Sequence, residues 1–108
     1  MRWLTEHGWR ILDRNWRGSS GELDLVALDG NVLVAVEVKL RRGQALGTAE
    51  EAVSPAKAER LLRTVSEYLL AHPEHSDRLW RVDLIAVTLD ARGRVARLTH
   101  LPNAVVSG

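Results

Sequence analysis

A chain of 108 residues makes one domain, long enough for a single hydrophobic core and too short for two. Hydrophobic residues at 45% exclude a disordered chain, the lack of cysteine excludes disulfides and thiolate metal sites, and no apolar run reaches the length of a membrane span. With a formal net charge of +1, any nucleic-acid contact must come from a local basic patch and not from bulk charge. Met1-Arg2-Trp3-Leu4 lacks the apolar core of an export signal, so a cytoplasmic location is expected.

Met1 to His7 reads as the end of a short helix, with Gly8 as its stop. Trp9 to Trp16 alternates as a strand, and Arg17-Gly18-Ser19-Ser20-Gly21 is a turn. Two apolar strands follow, Gly21 to Leu28 and Asn31 to Leu40, joined at Asp29-Gly30, a strong hairpin signal. Arg41 to Gly47 reads as a polar loop. Thr48 with Glu51 has capping-box spacing, and Ser54-Pro55 starts the helix proper, because proline is accepted at a first helical position. Ala58, Leu61, Leu62, Val65 and Leu69 make its apolar stripe, which core packing explains fully. His72-Pro73 ends that helix. Arg81 to Leu89 and Arg94 to Leu101 are strands around an Asp90–Gly93 turn, and Pro102 onward reads as a tail. The order helix, three strands, helix, two strands predicts a mixed α/β sheet of about five strands flanked by helices, with a parallel crossover through the long helix.

Three acids and a lysine interrupt the apolar hairpin. Side chains alternate along a strand, so Glu22 and Asp24 share one face, as do Leu33, Ala35, Glu37 and Lys39. Charges in such runs are costly unless paired or bound to a cation. Neighbouring strands lie about 4.8 Å apart, so Asp24 and Glu37 can reach one ion between them. Carboxylate oxygens favour Mg²⁺ or Mn²⁺. Such an ion lowers the pKa of bound water and neutralises charge on a phosphoryl oxygen, while Lys39 can hold the attacking water or stabilise the developing charge. The chemistry described is metal-assisted phosphodiester hydrolysis. A simple Glu37–Lys39 salt pair near a sheet edge explains that pair alone; Asp24 on a matching face of the adjacent strand is what it leaves over.

Other residues carry less. Asp83 stands on an apolar strand and could approach the cluster, but a hydrogen-bonded structural acid is the simpler reading. The four histidines are dispersed, and His72 and His75 are separated by Pro73. Trp16 beside Arg17 could stack on a base, with core packing as the plainer use. Ser19 and Ser20 are turn residues. Arg10, Arg14, Arg17, Lys39, Arg41 and Arg42 flank the acidic strands and are the candidate basic patch, and the last two suit phosphate contacts.

Gly21-Glu22-Leu23-Asp24-Leu25-Val26 and then Val36-Glu37-Val38-Lys39 resemble the nuclease pattern of an aspartate followed by Glu-x-Lys. Over nearly its whole length the chain resembles the YraN-like bacterial family, related in fold to archaeal Holliday junction resolvases. The matching pieces are Gly8-Trp9-Arg10-Ile11-Leu12 with Arg14-Asn15, Glu51-Ala52-Val53 with Lys57, Arg81-Val82-Asp83-Leu84-Ile85, and Asn103-Ala104-Val105. The resemblance implies a single restriction-endonuclease-like domain over residues 1–108, its first helix cut short at the start. It implies that Asp24 and Glu37 are metal ligands, Lys39 the catalytic lysine, and Glu22 a nearby acid serving a second metal or supporting the first. It also implies DNA, branched or otherwise structured, as substrate, with Arg17, Arg41 and Arg42 on its phosphates and a homodimer by analogy. Two other readings stay open: a non-catalytic nucleic-acid-binding module on the same scaffold, and a structural or interaction protein.

Overall fold

A computed structural model describes residues 2–42 and 54–105. The elements are α1 (Arg2–Glu6), β1 (Arg10–Arg17), β2 (Glu22–Asp29), β3 (Val32–Arg42), α2 (Pro55–Ala71), a 3₁₀ turn (Pro73–His75), β4 (Trp80–Leu89) and β5 (Val95–Val105). The strands lie side by side in chain order as a five-stranded sheet. All neighbours are antiparallel except β3 and β4, which run parallel because α2 carries the chain back across the sheet. No helix among the described residues is long and apolar enough to cross a membrane.

Strand alternation divides the core between two faces. Val26, Leu28, Leu33 and Ala35 meet the α2 stripe, where Leu61 and Val65 are buried and Ala58, Leu62 and Leu69 pack partly beneath. Leu25, Ala27, Val34 and Val36 face the other way, onto Leu4 of α1 and Trp9. Gly8 stops α1 at φ +82°, a left-handed conformation that costs glycine little, and the Trp9 N–H then donates to the Leu4 carbonyl. Ser54 caps α2 by accepting the Lys57 N–H, with Pro55 beginning the helix. The Thr48–Glu51 capping box lies outside the described residues.

Two boundaries differ from the sequence reading, both through pairing with distant chain. Arg41 and Arg42 are strand residues, not loop residues: β3 continues because β4 offers Thr88 and Leu89 opposite them. The stretch after Pro102 is also strand, not tail. Proline is tolerated there because β5 is an edge strand and its pairing is irregular between Val82 and Leu84. Asn103, at φ +54°, donates its N–H to Asp83 instead of to a strand.

Glu67 of α2 ties down the β1–β2 turn. Its carboxylate accepts from the hydroxyls of Ser19 and Ser20 and from the Ser20 N–H at 3.0 Å. The Ser19 hydroxyl, then the Ser20 N–H and hydroxyl, hold this carboxyl below its ordinary value. A carboxyl lowered on folding stabilises the fold above its unfolded pKa, and that stabilisation is lost as pH falls through the folded one. Acidification below about pH 4 should therefore release the turn, seen as a wild-type melting temperature that falls toward that of Glu67→Gln. Parallel pH profiles for the two proteins would refute the clamp.

Candidate metal centre

The site is built where β2 and β3 part. Their ladder runs from Asp29 opposite Val32 to Leu25 opposite Val36, and Asp24 and Glu37 stand at the next step. Asp24 Oδ2 accepts the Val38 N–H at 2.8 Å, so a side chain takes the place of a backbone acceptor as the ladder ends. That bond orients the Asp24 carboxylate toward β3. Glu37 enters from the other strand with a side chain only 12% exposed, too buried for an unpartnered charge.

Two lysines meet it. Lys57 Nζ lies 2.8 Å from Glu37 Oε1, and Lys39 Nζ lies 3.6 Å from the same oxygen. Burial raises the Asp24 carboxyl above its ordinary value, and the adjacent Glu37 charge raises it further, against the lowering pull of the Val38 N–H. The nearby Lys57 holds the Lys39 ammonium below its ordinary value, and burial adds to this. For Lys57, burial pulls downward most strongly of any single influence, but the bonds to Glu37 and Lys39 and the charges of Glu37 and Asp24 together outweigh it and hold its ammonium above its ordinary value. The lysine at the shorter distance keeps its proton most firmly.

A cavity of about 250 Å³ opens over Asp24 and Glu37, bordered by Gly21, Glu22, Lys57 and Arg60. Since a water takes roughly 30 Å³, a hydrated cation and an anionic group fit together. On the other side of the parting strands a second hollow, about 330 Å³, is bordered by Arg14, Asn15, Asp24, Leu25 and Val38. Asp24 thus stands between two openings.

Asp24, Glu37 and Lys39 come together as the sequence reading expected. Glu22 is at the cavity rim, exposed and paired with Arg17 at 3.4 Å. Arg41 and Arg42 lie at the far end of β3, outside the residues bordering the cavity. Among the described residues, no three histidines, aspartates or glutamates converge to cage an ion. Two crowded carboxylates nevertheless fit Mg²⁺, which usually keeps several waters and takes one or two protein carboxylates plus substrate phosphate. Asp24 and Glu37 would hold it, and it would supply an activated water and charge neutralisation.

The sequence model of Uncharacterised protein family UPF0102 matches residues 1–87. The chain belongs to this family. It is the YraN-like family that the sequence resembles. Similar curated relatives are UPF0102 proteins of Kineococcus radiotolerans, 53% identical over 93 residues (86% of this chain, 76% of the relative), and of Beutenbergia cavernae, 46% identical over 100 residues (93% and 83%). A third, from Roseiflexus castenholzii, is 38% identical over 104 residues, covering 96% of this chain and 84% of its own.

In this UPF0102 chain, Lys57 is the site residue that the sequence reading left without a chemical role. One local misfit marks it: it sits in the first turn of α2, where the helix dipole favours acids, and that turn carries none. For a metal-dependent hydrolase built on this site, Lys57→Met should slow turnover by about 10²-fold, the scale of losing one preorganised donor. Removing this cation takes away the largest influence that lowers the Lys39 ammonium. The alkaline limb of the pH–rate profile should therefore move to higher pH, and an unmoved limb would separate the two lysines.

Proposed function

We propose that this protein is a divalent-metal-dependent endonuclease that hydrolyses phosphodiester bonds in DNA. The observation that carries the reading is the convergence, at the parting of β2 and β3, of Asp24, Glu37 and Lys57 around one cavity, with Lys39 3.6 Å from Glu37. Asp24 and Glu37 would hold Mg²⁺ or Mn²⁺. Lys39, less firmly protonated than an ordinary lysine, stands ready to take or give a proton at the attacking water. Lys57 keeps Glu37 oriented and offsets its charge before substrate arrives. The resemblance to Holliday junction resolvases adds the substrate class, branched or structured DNA.

The test is cleavage of a labelled four-way junction, a linear duplex and a single strand with Mn²⁺, using the parent and Glu37→Ala. The reading expects cutting by the parent alone, strongest on the junction. Equal products from both proteins would remove Glu37 from the chemistry.

A second reading, metal-independent nucleic-acid binding on the same scaffold, is favoured by one observation. Lys57 already neutralises Glu37 without a metal. This reading expects steeply salt-dependent binding with no product from any substrate.

A further inference from the structure

Arg60 shares the cavity with the acid cluster but takes no part in it. It follows Lys57 by one helical turn, a spacing that puts the two on the same side of α2. Two neighbouring arginines have acidic partners, Arg17 with Glu22 and Arg63 with Glu59, while Arg14 borders the hollow on the other side of Asp24. Among the described residues, no ion pair engages Arg60.

Its stem passes beside Gly21. A Cβ at position 21 would lie 3.4 Å from Arg60 Cγ, 3.5 Å from its Cδ and 3.3 Å from Thr64 Oγ1. An added methyl would meet the Arg60 stem at ordinary contact distance and the Thr64 hydroxyl slightly more tightly, so the stem lies beside bare glycine backbone without being gripped by it. The Thr64 hydroxyl donates to the Arg60 carbonyl at 2.7 Å, so this neighbour is already committed. Arg60 is thus an exposed side chain that borders the same cavity as two carboxylates and an ammonium.

We propose that Arg60 holds a backbone phosphate of the nucleic-acid substrate, next to the phosphate brought to Asp24 and Glu37. The identity of the anion rests on the nuclease reading above. A guanidinium suits this role because its planar fork matches phosphate and it stays charged.

The proposal is tested by equilibrium binding of a labelled junction and duplex across a salt series without divalent metal, followed by cleavage kinetics with Mn²⁺. The proteins are the parent, Arg60→Ala, Arg60→Lys and Arg63→Ala. The last removes the same charge from the same helix. Arg60→Ala should weaken binding about tenfold and reduce the slope of log K against log salt by about one. It should raise KM and leave kcat within a few-fold. Arg60→Lys should restore the slope, and Arg63→Ala should leave it unchanged.

If Arg60→Ala changes the slope no more than Arg63→Ala while the parent binds and cuts DNA, the phosphate contact is refuted and the nuclease reading stands. A loss in kcat alone also overturns it, because Arg60 would then serve the chemistry. A parent that neither binds nor cuts DNA refutes the nuclease reading, and this proposal with it.

Discussion

Asp24→Asn should yield a protein at least as stable as the parent in metal-free solution and unable to cut DNA. The asparagine carbonyl can still accept the Val38 N–H that Asp24 Oδ2 takes at 2.8 Å, so the end of the β2–β3 ladder stays satisfied. What disappears is a charge that burial and the neighbouring Glu37 disfavour. A carboxyl raised on folding binds its proton more readily in the native state. Its penalty is therefore fully present above the carboxyl range and is relieved as pH falls through the raised value. Asparagine removes that penalty at neutral pH. Cleavage should drop by at least about 10³-fold, equivalent to ~4 kcal/mol of barrier, because a neutral amide is a poor ligand for a hard cation. Thermal melts with and without excess Mg²⁺ give a second reading. Ligand that binds only the native state raises stability by about 2.7 kcal/mol at a hundredfold excess over Kd. The parent should show such a rise and the variant should not. Parental cleavage by Asp24→Asn would end the metal-ligand role, and a melting temperature well below the parent's would end the account of its charge.

Asp83→Ala should cost about 3–5 kcal/mol of folding stability, the penalty for breaking a buried ion pair from one side. Asp83 is wholly buried. It takes Arg81 Nε at 2.9 Å and Nη2 at 3.2 Å, His100 Nε2 at 2.7 Å and the Asn103 N–H at 2.8 Å. Arg81 reaches on to Asp29 at 3.2 Å and lies over the Trp9 ring, 5.5 Å from its centroid. One carboxylate thus joins β4 to the end of β5 and, through Arg81, to the β2–β3 hairpin. Alanine leaves these donors around a void. The loss is a large share of the ~5–15 kcal/mol by which domains of this kind are stable. Denaturant titration should show a lower midpoint with an unchanged slope. Cleavage per folded molecule should persist, since Asp83 stands opposite the α2 face. A loss below about 1 kcal/mol would refute the bridging role.

Local chemistry made the centre of the site legible. Asp29-Gly30 announced the hairpin, and alternation then set Asp24 against Glu37 without any tertiary information. The α2 stripe was equally plain. Lys57 was not, because a helix periodicity reveals which side is apolar but not which strand residue its first turn meets. That contact depends on how the crossover docks. The same limit hid the ends of β3 and β5. Arg41 and Arg42 lack a strand pattern of their own and are held by Thr88 and Leu89, while Pro102 reads locally as a terminator and is admitted only at a sheet edge. Asp83 was legible as a structural acid, though its partners His100 and Asn103, on another strand, were not.

The chain connectivity also sets an order of assembly. Asp24 and Glu37 belong to consecutive antiparallel strands, and hairpins close in roughly 1–10 μs. Lys57 belongs to the crossover helix before the parallel β3–β4 pairing, a slower and less local contact. The acids therefore meet early in folding with Lys39 beside them, and the closer cation, Lys57, arrives late. Before α2 docks, the hairpin sets Asp24 and Glu37 against Lys39 alone, a balance less favourable to a polyanion. On the nuclease reading, recovery of DNA affinity during refolding should therefore lag behind the hairpin and follow the docking of the helix.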